Sequence, residues 1–243
     1  MAAGRILVLG ATGPAGICLL RELLHRDQPT TAYVRNPSKI PTELASSPLL
    51  KIIKGEITNA ATLCSAMSTC KAVLSLLGPQ ITDGRNLAFD PTSFSTAYAE
   101  VIFPAMRKNS IRRILAMGTL TIVQPDDKWS AFHLIVRLFM KLFSGRVNEA
   151  MQLIKATFEG TTSTSKDIDW TVFRIAQIPG EADEASWKRD REEWPVFSGS
   201  IAEKGWTTSI KRAALTRWIV EMTLDEKAGG VWIGKMPAVS KAA

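Results

Sequence analysis

The chain has 243 residues, with 30 Lys and Arg against 23 Asp and Glu for a formal charge of +7, and 46% of its residues are hydrophobic. That apolar share fills one substantial core and excludes a disordered, collagen-like or multi-span membrane chain. The basic residues are scattered in isolated pairs such as Arg112-Arg113 and Lys211-Arg212, so the surplus reads as solvated surface or an anionic small ligand, and no nucleic acid is expected.

In chain order, short aliphatic runs alternate with helical patterns, the rhythm of a parallel sheet covered on both faces. The runs predict strands at Ile6–Leu9, Thr31–Val34, Ile52–Lys54, Ala72–Leu76, Arg113–Met117 and Trp170–Arg174. Between them, Ala15–Leu24 places Ile17, Leu20, Leu23 and Leu24 on one helical face, and Ala60–Met67 and Ser93–Lys108 are also helical, the last bent by Pro104. After the fifth strand a polar loop leads into a greasy helix, 131–143, and a second helix from Val147 to Thr164. Residues 179–208 lack periodicity and predict loops, Ser209 is placed as the cap of a helix Ile210–Leu224, and Val231-Trp232-Ile233 as a last short strand. The expected fold is α/β, a doubly wound parallel sheet of Rossmann type forming one domain over 1–243. Its nucleotide-binding core is 1–122, and 123–243 mixes core with a small C-terminal substrate-pocket portion.

The strongest motif is the strand Ile6–Leu9 running through Gly10-Ala11-Thr12-Gly13-Pro14-Ala15-Gly16 into a helix. Gly10 permits the tight turn, Gly13 lets backbone approach a pyrophosphate, and Gly16 lets helix pack on strand, while the helix N-terminus offers free N–H groups to phosphate. An acid at the end of the second strand would bond the 2′-hydroxyl of NAD and repel a 2′-phosphate. That strand instead ends Val34-Arg35-Asn36-Pro37-Ser38-Lys39, with no acid before Glu43, which favours NADP(H) with Arg35 and Lys39 as phosphate ligands.

These segments resemble the atypical short-chain dehydrogenase/reductases, in particular their NAD(P)H-binding, NmrA-like branch of the fungal secondary-metabolism type. The resemblance implies that Glu56 and Ile57, in Gly55-Glu56-Ile57-Thr58, edge the adenine, with Glu standing where the family has Asp. It implies that Leu76, Leu77 and Gly78 pass alongside the cofactor, and that Asp169–Arg174 enters the nicotinamide end, where Ile175 follows. Thr119, after the fifth strand, stands where the family's serine sits, and Lys155-x-x-x-Glu159 resembles the branch's Lys-x-x-x-Glu helix, which would bring Lys155 to the ribose or nicotinamide.

The standard Tyr-x-x-x-Lys pair is absent: of two tyrosines, Tyr33 lies in the second strand and Tyr98 is followed four residues on by Ile102. Lys155, Thr119, His133 and Glu149 remain as candidate catalytic groups, with Asp126 and Asp127 as further acids. For Thr119 a structural turn, and for Lys155 a helix-surface pair with Glu159, are equally open. His133, Arg137 and Lys141 share a stripe of the greasy helix opposite Phe132, Ile135, Val136, Phe139 and Phe143, a face that would pack on the core or on a second subunit of a homodimer, cover a hydrophobic substrate, or lie on a membrane. The stretch Trp129–Phe143 is too short and too charged to span a bilayer, so no transmembrane segment is expected, and the N-terminus shows no signal-peptide core. Cys18, Cys64 and Cys70 without Cys-x-x-Cys spacing fit a reducing, cytoplasmic compartment, and His25 and His133 are too isolated for a metal site. The activity expected is NADP-dependent oxidation or reduction of a hydrophobic carbonyl or enone, with a non-redox isomerase or an NADP sensor without turnover as alternatives.

Overall fold

The computed structural model describes residues 4–78, 89–164 and 167–243. Its first half alternates strands β1 (Arg5–Leu9), β2 (Thr30–Val34), β3 (Leu50–Lys54), β4 (Cys70–Ser75) and β5 (Arg113–Thr119) with helices α1 (Pro14–His25), α2 (Thr42–Ala45), α3 (Ala60–Met67), α4 (Thr92–Thr96) and α5 (Phe103–Lys108). The second half adds α6 (Ala131–Phe143), α7 (Gly145–Thr164), β6 (Asp169–Ile175), α8 (Glu184–Asp190), β7 (Val196–Gly199), α9 (Arg212–Leu224), α10 (Glu226–Gly230) and β8 (Ala238–Lys241). The strands form one sheet in the order β3-β2-β1-β4-β5-β6-β8-β7, parallel except for the antiparallel edge pair β7–β8. This is the doubly wound Rossmann arrangement that the sequence rhythm predicts.

Alternate residues of β1 explain the layering. Ile6 and Val8 enter one core with Leu19, Leu20 and Leu23 of α1 and Leu215, Trp218 and Ile219 of α9. Leu7 and Leu9 enter the opposite core with Leu63 and Met67 of α3, Phe103 and Met106 of α5, and Ile154 and Phe158 of α7. A strand buried on both faces needs a continuous aliphatic run, which Ile-Leu-Val-Leu supplies. Tyr98 lies fully inside the second core, ringed by Phe103 and Phe158, its hydroxyl 2.6 Å from that of Ser75.

Four expectations are corrected. The helix expected over Ser93–Lys108 runs as helical backbone from Thr92 to Lys108 but changes geometry at Ala97–Ile102, a π-helical turn just ahead of Pro104. Ser209 does not cap a helix: its carbonyl accepts from Lys241 N–H, Ile210 N–H bonds Gln177, and α9 starts at Arg212. Val231–Ile233 is a turn after Gly229-Gly230, and the last strand is β8, where Arg174 registers with Ala238. The stretch 179–208 contains α8, capped by Asp183 accepting from Ser186 N–H, and β7.

Candidate cofactor and active site

The end of β1 and the start of α1 are built by backbone constraints. Gly10 takes φ +78°, and a Cβ there would meet the Leu76 carbonyl at 2.8 Å. A Cβ on Gly16 would overlap the Gly10 carbonyl and the Ala11 backbone, so the helix leaves the strand only with glycine at this place. Gly13 differs: a Cβ there would find only the Gly10 oxygen, at 3.7 Å, among the described residues. The protein itself leaves that side of Gly13 open. The first intrahelical bond is Ile17 N–H to Gly13, no side chain caps the terminus, and the Ala15 and Gly16 amides precede that first bond. The turn Gly10-Ala11-Thr12-Gly13-Pro14-Ala15-Gly16 is therefore a cradle of unfilled space and free donors at the positive end of a helix, the donor set a pyrophosphate requires.

Beside it, β2 ends in Arg35 and a 3-10 turn, Pro37–Lys39, closed by Asn36, whose side chain accepts from the Ser38 amide and hydroxyl. Arg35 and Lys39 are exposed and have no ion-pair partner among the described residues. The nearest downstream acid, Glu43, is held by Arg21 of α1 at 2.6 Å, and its own backbone amide and that guanidinium keep its carboxyl below the usual range. Two cations thus stand uncommitted at the carboxyl end of β2.

Tyr33 reaches from β2 to donate to the Glu56 carbonyl at 2.9 Å, fixing Gly55-Glu56-Ile57 against the sheet and leaving the Glu56 side chain in solvent. Burial, with the Glu56 charge nearby, pushes the Tyr33 phenol up. Leu76 is buried and donates to the Leu9 carbonyl at 3.0 Å, while Leu77 and Gly78 emerge half-buried at the sheet's carboxyl edge.

The third group lies after β5. Thr119, in register with Ile175 of β6, shares a hydrogen bond with the Thr121 hydroxyl at 2.7 Å. From α7, Gln152 Nε2 donates to the Thr121 carbonyl and Lys155 Nζ to the Val123 carbonyl, both at 2.8 Å. Lys155 also lies 3.8 Å from Glu159. Thr119 and Lys155 are therefore brought to one loop. His133 is 6% exposed and faces the same loop from α6, its Nε2 donating to the Leu120 carbonyl at 2.6 Å, so that nitrogen holds the backbone. Glu149 is exposed on α7, about 120° around the helix from Lys155. It does not join the cluster.

The loop itself is held by a buried pair that the strand pattern does not reveal. Arg174 of β6 donates to both Asp127 oxygens at 2.5 and 2.9 Å, to the Ile122 carbonyl at 3.0 Å and to the Met236 carbonyl at 2.5 Å. Burial opposes the charge on Asp127, but hydrogen bonds from Arg174, Gln124 N–H and Ile201 N–H outweigh it and hold the carboxyl low. Asp126 accepts from the Ser200 hydroxyl at 2.5 Å, so both acids of this loop are anchors. Among the described residues no cluster of three or more His, Cys, Asp or Glu can hold a metal ion.

The sheet order β3-β2-β1-β4-β5-β6 with a glycine cradle at its first strand-to-helix turn defines a dinucleotide-binding protein. The chain belongs to the family described as NAD(P)H-binding, whose model matches residues 10–226. It is similar in structure to a short-chain dehydrogenase/reductase of Veillonella parvula, with a TM-score of 0.72 at 16% identity over 98% of this chain and 94% of the other. A V. parvula short-chain dehydrogenase/reductase in complex with NADP matches with a TM-score of 0.68 at 15% identity, over 98% and 94%. A putative epimerase of Bacteroides thetaiotaomicron matches with a TM-score of 0.70 at 19% identity, over 99% and 98%. At these identities the likeness concerns the fold.

Proposed function

We propose that the protein is an NADP-dependent oxidoreductase acting on a hydrophobic carbonyl or enone in the cytoplasm. The observation that carries the reading is the pair of uncommitted cations, Arg35 and Lys39, beside a glycine cradle whose open side faces no protein atom closer than 3.7 Å to a Cβ at Gly13. Ala15 and Gly16 would hold the pyrophosphate by backbone N–H groups over the open side of Gly13, whose own N–H closes the turn on the Gly10 carbonyl, with Arg35 and Lys39 on the 2′-phosphate and Ile57, Leu76, Leu77 and Gly78 at the flanks. When bound, the cofactor supplies hydride chemistry; the chain supplies orientation and a dry pocket. Thr119 would donate a hydrogen bond to the substrate oxygen, and Lys155 would hold the ribose hydroxyls or stabilise charge on that oxygen. Because both tyrosine hydroxyls are committed inside the fold, to Glu56 and Ser75, the proton comes from Lys155 or from water.

One observation favours a second reading, an NADP sensor without turnover: the Lys155 ammonium already serves the Val123 carbonyl. Loss of reduced-nicotinamide absorbance with a panel of quinones, enones and aromatic ketones decides between them. The enzyme reading predicts substrate-dependent oxidation that falls at least about tenfold in Lys155→Ala, while NADPH still binds. Tight NADPH binding with no oxidation of any substrate would establish the sensor and overturn the enzyme.

A further inference from the structure

We propose that α6 is a docking helix that seats this protein on an anionic phospholipid surface. His133, buried and bonded to the Leu120 carbonyl, fixes which side of α6 faces the protein. At about 100° per residue, Leu134, Ile135, Leu138, Phe139 and Leu142 fall on the opposite arc. All five are exposed, Leu142 at 75%, and Trp129, just ahead of the helix, is 81% exposed. The expected roles are thereby exchanged: the histidine side packs inward and the apolar face looks out. Side chains of Arg137 and Phe143 lie outside the described residues. A contiguous apolar face of this kind marks an interaction surface. No helix among the described residues is long and apolar enough to cross a membrane, and a helix of 13 residues, about 20 Å long, suits a position in the plane of the headgroups.

Charge selects the occupant. From Lys128 to Asn148 the sequence carries Lys128, Arg137, Lys141 and Arg146 and no acid. Lys141 and Arg146 are exposed. A second copy would bring another set of exposed like charges, Lys128, Lys141 and Arg146, to the interface with no acid from this segment to meet them. A bilayer containing acidic headgroups supplies the opposite charge, accepts the apolar arc below the headgroups, and suits the indole of Trp129 at the boundary. A substrate lid would need the apolar arc turned toward the sheet, the side that His133 occupies.

The test is co-sedimentation of the full chain with vesicles of phosphatidylcholine alone or with about a third phosphatidylserine. We expect binding to the acidic vesicles, at least about tenfold weaker on neutral ones or in about 0.5 M salt, with a blue-shifted tryptophan emission that Trp129→Phe removes. The variant carrying Ile135→Ser, Leu138→Ser and Leu142→Ser loses binding, and the single Lys141→Glu weakens it, each with unchanged circular dichroism and melting temperature. Failure of the unaltered chain to bind acidic vesicles overturns the proposal. So does binding that both variants retain, or a dimer in light scattering that the triple variant dissociates without any vesicle binding.

Discussion

The three glycines of the first turn carry separable duties. At Gly16 an added methyl group collides with the Gly10 carbonyl and Ala11 backbone, so Gly16→Ala should cost about 1–3 kcal/mol of folding stability, measured by urea denaturation. At Gly13 the same methyl meets almost nothing and φ is −77°, so Gly13→Ala should cost less than about 1 kcal/mol. Its methyl nevertheless occupies the approach to the α1 amides, and NADPH affinity should fall at least about tenfold. Equal loss of stability in both variants would show that Gly13 is a packing residue. This turn was legible because glycine is demanded by backbone sterics that a sequence displays directly. Lys155 and His133 were less legible, since a hydrogen bond to the carbonyl of Val123 or Leu120 depends on where the loop after β5 folds back, and no spacing encodes that.

At the scale of elements, the loop between β5 and α6 is positioned by the Arg174–Asp127 pair, both side chains at most 3% exposed. Asp127→Asn leaves a buried guanidinium without its counter-charge and should cost about 3–5 kcal/mol. The folded carboxyl is held below its unfolded value, so its stabilisation is fully present above the unfolded value near pH ~4 and drains away as pH falls through the folded one. Urea denaturation at neutral and acid pH should therefore show a gap between the unaltered chain and Asp127→Asn that narrows on acidification; a gap independent of pH would assign the loss to packing. Strands β1, β2, β4, β5 and β6 were readable as β-branched or aliphatic runs because they lie inside the sheet with both faces largely covered, and the edge strand β3 still shows Ile52 and Ile53. The edge strand β7, its neighbour β8 and the short helix α8 escaped. Each is half-exposed, polar or brief, and is set by pairing rather than by pattern.

Over the whole molecule, the surplus of +7 has two local destinations: Arg35 and Lys39 at the sheet's carboxyl edge, and the acid-free segment around α6. Doubly wound topology was legible from the alternation of strand and helix, whereas the outward face of α6 was not, because amphipathicity defines two faces without saying which one meets the sheet. Calorimetric titration of the full chain with NADPH and with NADH tests the central claim, that this fold holds a 2′-phosphorylated dinucleotide. NADPH should bind at least about tenfold more tightly than NADH, and Arg35→Ala should remove that preference while leaving NADH affinity unchanged. Binding of neither nucleotide, or a preference for NADH, would contradict it.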